Sequence, residues 1–183
     1  MRPTARALVV AVVGICLLAG GAIATQVIYK TPKQLGQTST TVVRGTVSEI
    51  NSYWNANQTK IFTETTIVVD ETYKGAPFGT VRIRQLGGVV GNVRVTVHGA
   101  LHWKQGEEVL VYLEPAKNGA FHIAGFSQGK FNIHRDPQTG MPYVNRPELG
   151  GTQMVGIPDG GSRATRIERV PLDRFISQTL DQR

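Results

Sequence analysis

From residue 41 to residue 136 the chain repeatedly alternates apolar and polar residues with a period of two, cut at intervals by glycine and proline. Neighbouring side chains on a strand point to opposite faces, so this period builds half-buried β-strands rather than amphipathic helices. In "TVRIRQL", Val81 and Ile83 share one face while Arg82 and Arg84 share the other. "NVRVTV" repeats the pattern, with Val93, Val95 and Val97 on one side. "TVVRGTVSEI" and "TKIFTETTIVVDETYKG" are dense in Val, Ile, Thr, Phe and Tyr, the residues that fit a pleated surface. Gly75, Pro77 and Gly79 close the second of these. "EVLVYLEP" reads as a buried strand stopped by Pro115. "KNGAFHIAGF" reads as a hairpin about Asn118-Gly119, and "SQGKFNIHRD" as the last clear strand. Between them, "NSYWNANQ" and "HGALHWKQGEE" read as connections.

Five to seven short strands with regularly spaced turns define an all-β fold, a small barrel or a sandwich. Gly45 inside the first strand and the length of the second favour a barrel, whose strands must bend sharply. Residues 41–136 form this β-barrel domain. Residues 25–40 are a polar lead-in with a short helix near Pro32 to Leu35, and residues 137–170 are loop-rich, with 137–161 expected to be mobile or partly ordered. Residues 171–183 form a C-terminal helix, with Pro171 at its first position and Leu172, Phe175, Ile176 and Leu180 on one apolar face. No internal repeat is present.

The N-terminus follows different rules. Arg2 and Arg6 precede an uncharged apolar run over residues 7–24, which ends in Ala22-Ile23-Ala24. Residues 1–24 therefore read as a secretory signal cleaved after Ala24, with Gly20 and Gly21 breaking the helix just before that point. An uncleaved membrane anchor is the alternative, since the run is close to a bilayer's thickness. Lipidation at Cys16 is rejected because Ile15 precedes it. Cys16 is the only cysteine, so the exported part has no disulfide, no thiol nucleophile and no cysteine-ligated metal. The formal charge is +7, of which Arg2 and Arg6 supply two and leave +5. An exported chain of this balance is expected to meet anionic surfaces rather than nucleic acid.

The order of "VVRGTVSEI", "TTIVVDETYKG", "TVRIRQLGG", "GEEVLVYLEP" and "GFSQGKF" resembles exported bacterial domains of the netrin-like type, the fold of the tissue inhibitors of metalloproteinases. The resemblance covers about Val42 to His134 and implies a five-stranded OB-like barrel. Those inhibitors place a disulfide-bonded N-terminal cysteine on the protease's zinc. This chain has none there, so no inhibitory residue carries over.

Several residues carry candidate chemistry. His98 and His102 in "HGALH" stand four apart, a zinc-binding spacing on a helix, but Gly99 and the flanking strand pattern oppose a helix. His122 and His134 are placed on strands of one hairpin, where they could approach each other. "GFSQG" has the letters of a nucleophile elbow around Ser127, without the strand-to-helix turn an elbow needs; Lys130 after it is expected to point outward while Phe131 packs. Asp70 and Glu71 face opposite ways on a strand, and Glu107 and Glu108 sit in a turn. "QLGGVVGNVRV" lacks the Gly-Lys-Ser/Thr ending of a phosphate loop, so Gly87, Gly88 and Gly91 read as a tight connection with Val89 and Val90 at its tip. Tyr53, Trp54 and Trp103 lie in loops and either cap the core or form a binding platform, with Arg82, Arg84 and Arg94 nearby. No complete catalytic set, metal site or cofactor motif is present. The expected function is a non-catalytic exported module binding a protein or surface glycan. The alternatives are a secreted hydrolase or metal-dependent enzyme using His98/His102 or Ser127, and a structural envelope component.

Overall fold

The structure, a computed structural model, describes residues 26–147, 153–157 and 166–180. The expected signal segment lies outside them. No helix among the described residues is long and apolar enough to cross a membrane. The fold is mostly β, with one large sheet and a short C-terminal helix.

Two fourteen-residue strands, β2 (Thr41–Trp54) and β3 (Ile61–Lys74), form the long central hairpin. β1 (Gln26–Ile28) and the helix α1 (Pro32–Thr38) precede them; a capping box between Thr31 and Gln34 starts α1. The β2–β3 register shifts at three places, one of them between Arg44 and Gly45. A side chain at Gly45 would collide with Val68 O, so the bend there requires glycine. Tyr53 and Trp54 belong to β2, paired with Phe62 and Ile61, and not to the loop the sequence suggested. Pairing with a β-rich partner carries the strand through "NSYW" despite its polar composition.

β4 (Thr80–Leu86) pairs with β3. β5 (Gly88–Val90) and β6 (Val93–Val95) then form a separate two-stranded hairpin turned at Gly91-Asn92. "NVRVTV" thus contributes only three strand residues, outside the main sheet, and Val97 lies beyond them. β7 (Glu108–Pro115) pairs with β2 along one edge. Its other edge is shared: Leu113 to Pro115 meet β8 (Phe121–Ile123), and Val109 to Val111 meet β9 (Lys130–Arg135). Between β7 and β8, Asn118 and Gly119 both take left-handed φ, 61° and 71°, as a tight hairpin turn requires. β8 also meets β4 through one parallel pair, Ile83 with Phe121, so pairings run from β7 through β2, β3, β4 and β8 back to β7.

β10 (Pro142–Asn145) extends the sheet beyond β9, and β12 (Val170–Pro171) follows it. β11 (Gln153–Val155) pairs in parallel with β1. This corrects the expectation for residues 137–161: Val144 is buried in a strand of the main sheet. Residues 148–152 and 158–165 lie outside the described ones. The C-terminal helix α2 spans Leu172–Thr179, with Pro171 at its cap rather than its first turn.

Two cores flank β7. Val109, Val111 and Leu113 join Val43, Val47, Ile67, Val81, Ile83 and Ile123 on the side enclosed by the five strands. Leu110 and Tyr112 point the other way, toward Phe131, Val144, Leu35 of α1 and the apolar face of α2. A strand buried on both faces needs a continuous apolar run, which "VLVYL" supplies. Phe131 packs against Tyr112 and Phe175 with ring centroids 5.7 and 4.8 Å apart. Tyr112 Oη and Thr179 Oγ1 share a buried hydrogen bond of 2.6 Å, and a side chain at Gly36 would collide with Thr179 O. The C-terminal helix therefore docks on its own sheet.

Candidate functional site

The outward face of β2, β3 and β4 carries an ordered aromatic–cationic group. The register sets Tyr53 beside Phe62 and Phe62 beside Leu86, with Glu64 beside Arg84 and Thr66 beside Arg82. Alternation places all of these on one side of the strands. The Arg84 guanidinium lies 4.0 Å from the Phe62 centroid and 5.7 Å from that of Tyr53. Arg82 is exposed and pairs with Glu64 at 3.8 Å. Among the described residues Arg84 has no ion-pair partner, and its Nε is buried without a hydrogen-bond partner there. His122 Nδ1 lies 2.8 Å from Arg84 O. A carbonyl only accepts, so Nδ1 carries a proton in this contact.

Beyond Leu86 the glycine stretch turns the chain back over the end of the strands. Gly87 and Gly88 take φ of 97° and 139°. A side chain at Gly88 would collide with the hydroxyls of Ser52 and Thr63, so the close approach requires glycine. Those hydroxyls stand 2.9 Å apart, and Thr63 donates to Gly87 O at 2.7 Å, which fastens the hairpin to β2 and β3. The glycines make a close crossing with its own hairpin, and Val89 and Val93 are left exposed on it.

Two cavities result. One, of about 270 Å³, lies under the hairpin and is lined by Ser52, Thr63, Arg94 and Trp103 among others. The other, of about 260 Å³, is lined by Phe62, Arg84, His122 and Phe126 among others. Gln85, Leu86, Val97, Ala100 and Leu101 line both, so the cavities meet at the end of β4. Leu86 and Phe126 are 41% and 45% exposed there, and Phe126 holds a left-handed φ of 70°. A bulky residue in that region is strained, and such strain gathers at functional sites. A wider groove of about 540 Å³ is lined by Arg44, Glu71 and Tyr73 among others, and there the arginine and the glutamate pair with each other. Arg44 pairs with Glu71 and Glu108, and Tyr73 donates to Glu71 at 2.8 Å; burial, and then this bond to Glu71, raise the Tyr73 phenol's pKa.

The wall between the cavities and the core is fixed by a residue expected to point outward. Lys130 is 1% exposed. Its Nζ donates to Glu107 Oε1 at 2.6 Å and His102 O at 2.9 Å, and lies 4.5 Å from the Trp103 centroid. Burial lowers the Lys130 pKa, with Glu107 opposing. Trp103 Nε1 donates to Gln85 Oε1, and Gln85 Nε2 donates to Leu101 O. Trp103 is thus held on both sides and packs against the enclosed core. Glu107, a turn residue by its sequence, supplies the partly buried counter-charge. Nothing in "SQGKF" signals this, because the partner stands 23 residues away.

The six residues singled out from the sequence divide. Tyr53, Arg82 and Arg84 share the outward face, while Arg94 and Trp103 line the cavity under the hairpin. Trp54 alternates to the other side of β2 from Tyr53. Phe62, Leu86 and Phe126 complete the site; of these, Phe62 and Leu86 could have been found from register with Tyr53, had that pairing been known. His98 and His102 are exposed and lie on no helix. His122 and His134 do not meet: His134 stacks on Tyr143 of β10, 5.6 Å between centroids. Ser127 is buried in the β8–β9 loop, bonded to no histidine or carboxylate. Among the described residues, no three of His, Cys, Asp and Glu gather as a metal site would require. Compared with known proteins, the chain matches no family model and no curated protein sequence.

Proposed function

We propose that this chain is an exported, non-catalytic binding module that engages a protein or surface-glycan partner at the end of β4. The observation that carries the reading is the meeting of two cavities beside exposed Leu86 and the left-handed Phe126. Concave sites with apolar walls and a few placed polar groups are where ligands bind. The scaffold is read as an OB-like barrel of the netrin-like type. Support comes from the five-membered cycle of pairings, closed by a single parallel pair as in a partly open barrel. The charged and apolar character of residues 1–24 supports export.

A photo-crosslinking residue placed at Leu86, and in a second protein at Ser177 on α2, tests the site in the cells that make the protein. The expected result is a discrete adduct from position 86 and none from position 177. Adducts from 177 alone, or equal adducts from both, overturn the assignment.

A further inference from the structure

We propose that the partner presents an acidic–apolar peptide segment, a carboxylate beside a large apolar side chain, with the carboxylate on Arg84 and the side chain in the cavity bounded by Phe62, Leu86 and Phe126. The inference rests on the binding-module reading and names the chemistry of its ligand.

Arg84 is the residue that selects a carboxylate. The other arginines of the β2–β4 face have anions of their own: Arg82 pairs with Glu64, and Arg44 with Glu71 and Glu108. Arg84 has none among the described residues, although Glu64 is its neighbour across the strands. Its guanidinium is instead stacked on Phe62 and near Tyr53, which fixes the plane of the fork. A fork immobilised in advance loses less entropy on taking a carboxylate in two parallel hydrogen bonds. The cost of this posture is visible, because Nε is buried without a partner.

The neighbouring cavity selects the apolar side chain. Its volume of about 260 Å³ is bounded by Phe62, Ile83, Leu86, Ile123 and Phe126. Phe126 is held in a left-handed conformation that leaves 45% of it exposed, rather than turned into the core. The exposed His122 ring, fixed by its Nδ1 bond to Arg84 O, adds a second polar group beside the cavity. Arg94, also without an ion pair among the described residues, lines the adjoining cavity and gives a second carboxylate a place further along the segment. A glycan would instead call for several hydroxyl-matched polar groups, and the wall beside Arg84 is mainly apolar.

The test uses four fluorescein-labelled probes read by anisotropy against the purified chain. Three are eight-residue peptides, Gly-Ser flanked, with a central Phe-Glu, Phe-Gln or Ala-Glu; the fourth is a hexuronate oligosaccharide. The expected order places Phe-Glu first, about tenfold tighter than Phe-Gln, since a charge-assisted pair is worth that much. Arg84→Gln abolishes this difference, and Arg174→Gln, on the exposed side of α2, leaves it intact. Circular dichroism confirms that both variants fold. Equal affinity for Phe-Glu and Phe-Gln, retention of the preference in Arg84→Gln, or preferential binding of the oligosaccharide each overturns the proposal. If the peptides fail while position 86 still crosslinks, the site stands and only the ligand chemistry falls.

Discussion

Removing the negative partner of Lys130 should be among the most damaging changes this chain can suffer away from its apolar cores. In Glu107→Gln the Nζ keeps the acceptor at His102 O, 2.9 Å away, but loses the counter-charge 2.6 Å away. Lys130 is 1% exposed, so water cannot replace that charge. Breaking a buried pair from one side costs about 3–5 kcal/mol. Glutamine retains a neutral acceptor, which brings the expectation to about 3 kcal/mol at pH 7. The pH dependence follows from the sign of the shift. Burial lowers the Lys130 pKa below its ordinary 10.5, so the unfolded chain binds this proton more strongly than the folded one. Stability therefore rises with pH between the lowered value and 10.5, where the lysine is neutral in both states. Glu107 opposes the lowering, so without it the rise begins at lower pH and the deficit of the variant shrinks toward pH 10. Replacing both residues, Lys130→Met with Glu107→Leu, removes charge and counter-charge together and should cost less than Glu107→Gln alone. Urea unfolding at pH 7 and pH 9.5, followed by circular dichroism, reads all of this. A deficit below about 0.5 kcal/mol at pH 7, or one that grows with pH, would refute the buried-pair reasoning.

Two further changes probe other parts of the fold. Gly88→Ala sets a side chain against the Ser52 and Thr63 hydroxyls at a φ of 139°. It should cost about 2–4 kcal/mol and shift the amide resonances of the β5–β6 hairpin, as thermal unfolding and NMR would show. Tyr112→Phe removes the hydroxyl bond to Thr179 and should cost about 1–2 kcal/mol. Burial pushes the Tyr112 phenol up to about 12, so its contribution is complete below pH 10 and lost between pH 10 and 12. The variant should lack about 3 kcal/mol of that alkaline loss in urea titrations.

The strand faces that build the enclosed core were legible because alternation is a local signal. Val81 and Ile83 turn inward and Arg82 and Arg84 outward, as "TVRIRQL" indicates. The buried helix face of Leu172, Phe175, Ile176 and Leu180 was legible for the same reason. What depends on distant partners was not. Tyr53 and Trp54 read as loop residues until their pairing with Phe62 and Ile61 is known. "PYVN" looks like a loop fragment, yet β9 draws it into the sheet and Val144 into the core. Lys130 reads as solvated because neither Glu107 nor Trp103 is adjacent in sequence. The candidate site was half visible: Arg84 and Tyr53 were marked by residue type, but Phe126 sits in a glycine-rich loop, and its exposure follows from a backbone conformation no sequence pattern announces.

Hydrogen exchange of the chain alone and in complex with the partner captured through position 86 locates the binding surface. Slowed exchange is expected over residues 84–101 and 122–126, where the two cavities meet, with unchanged exchange on α2. Protection centred instead on the groove of Arg44, Glu71 and Met141 would place the binding surface on the opposite core's side and refute binding at the end of β4.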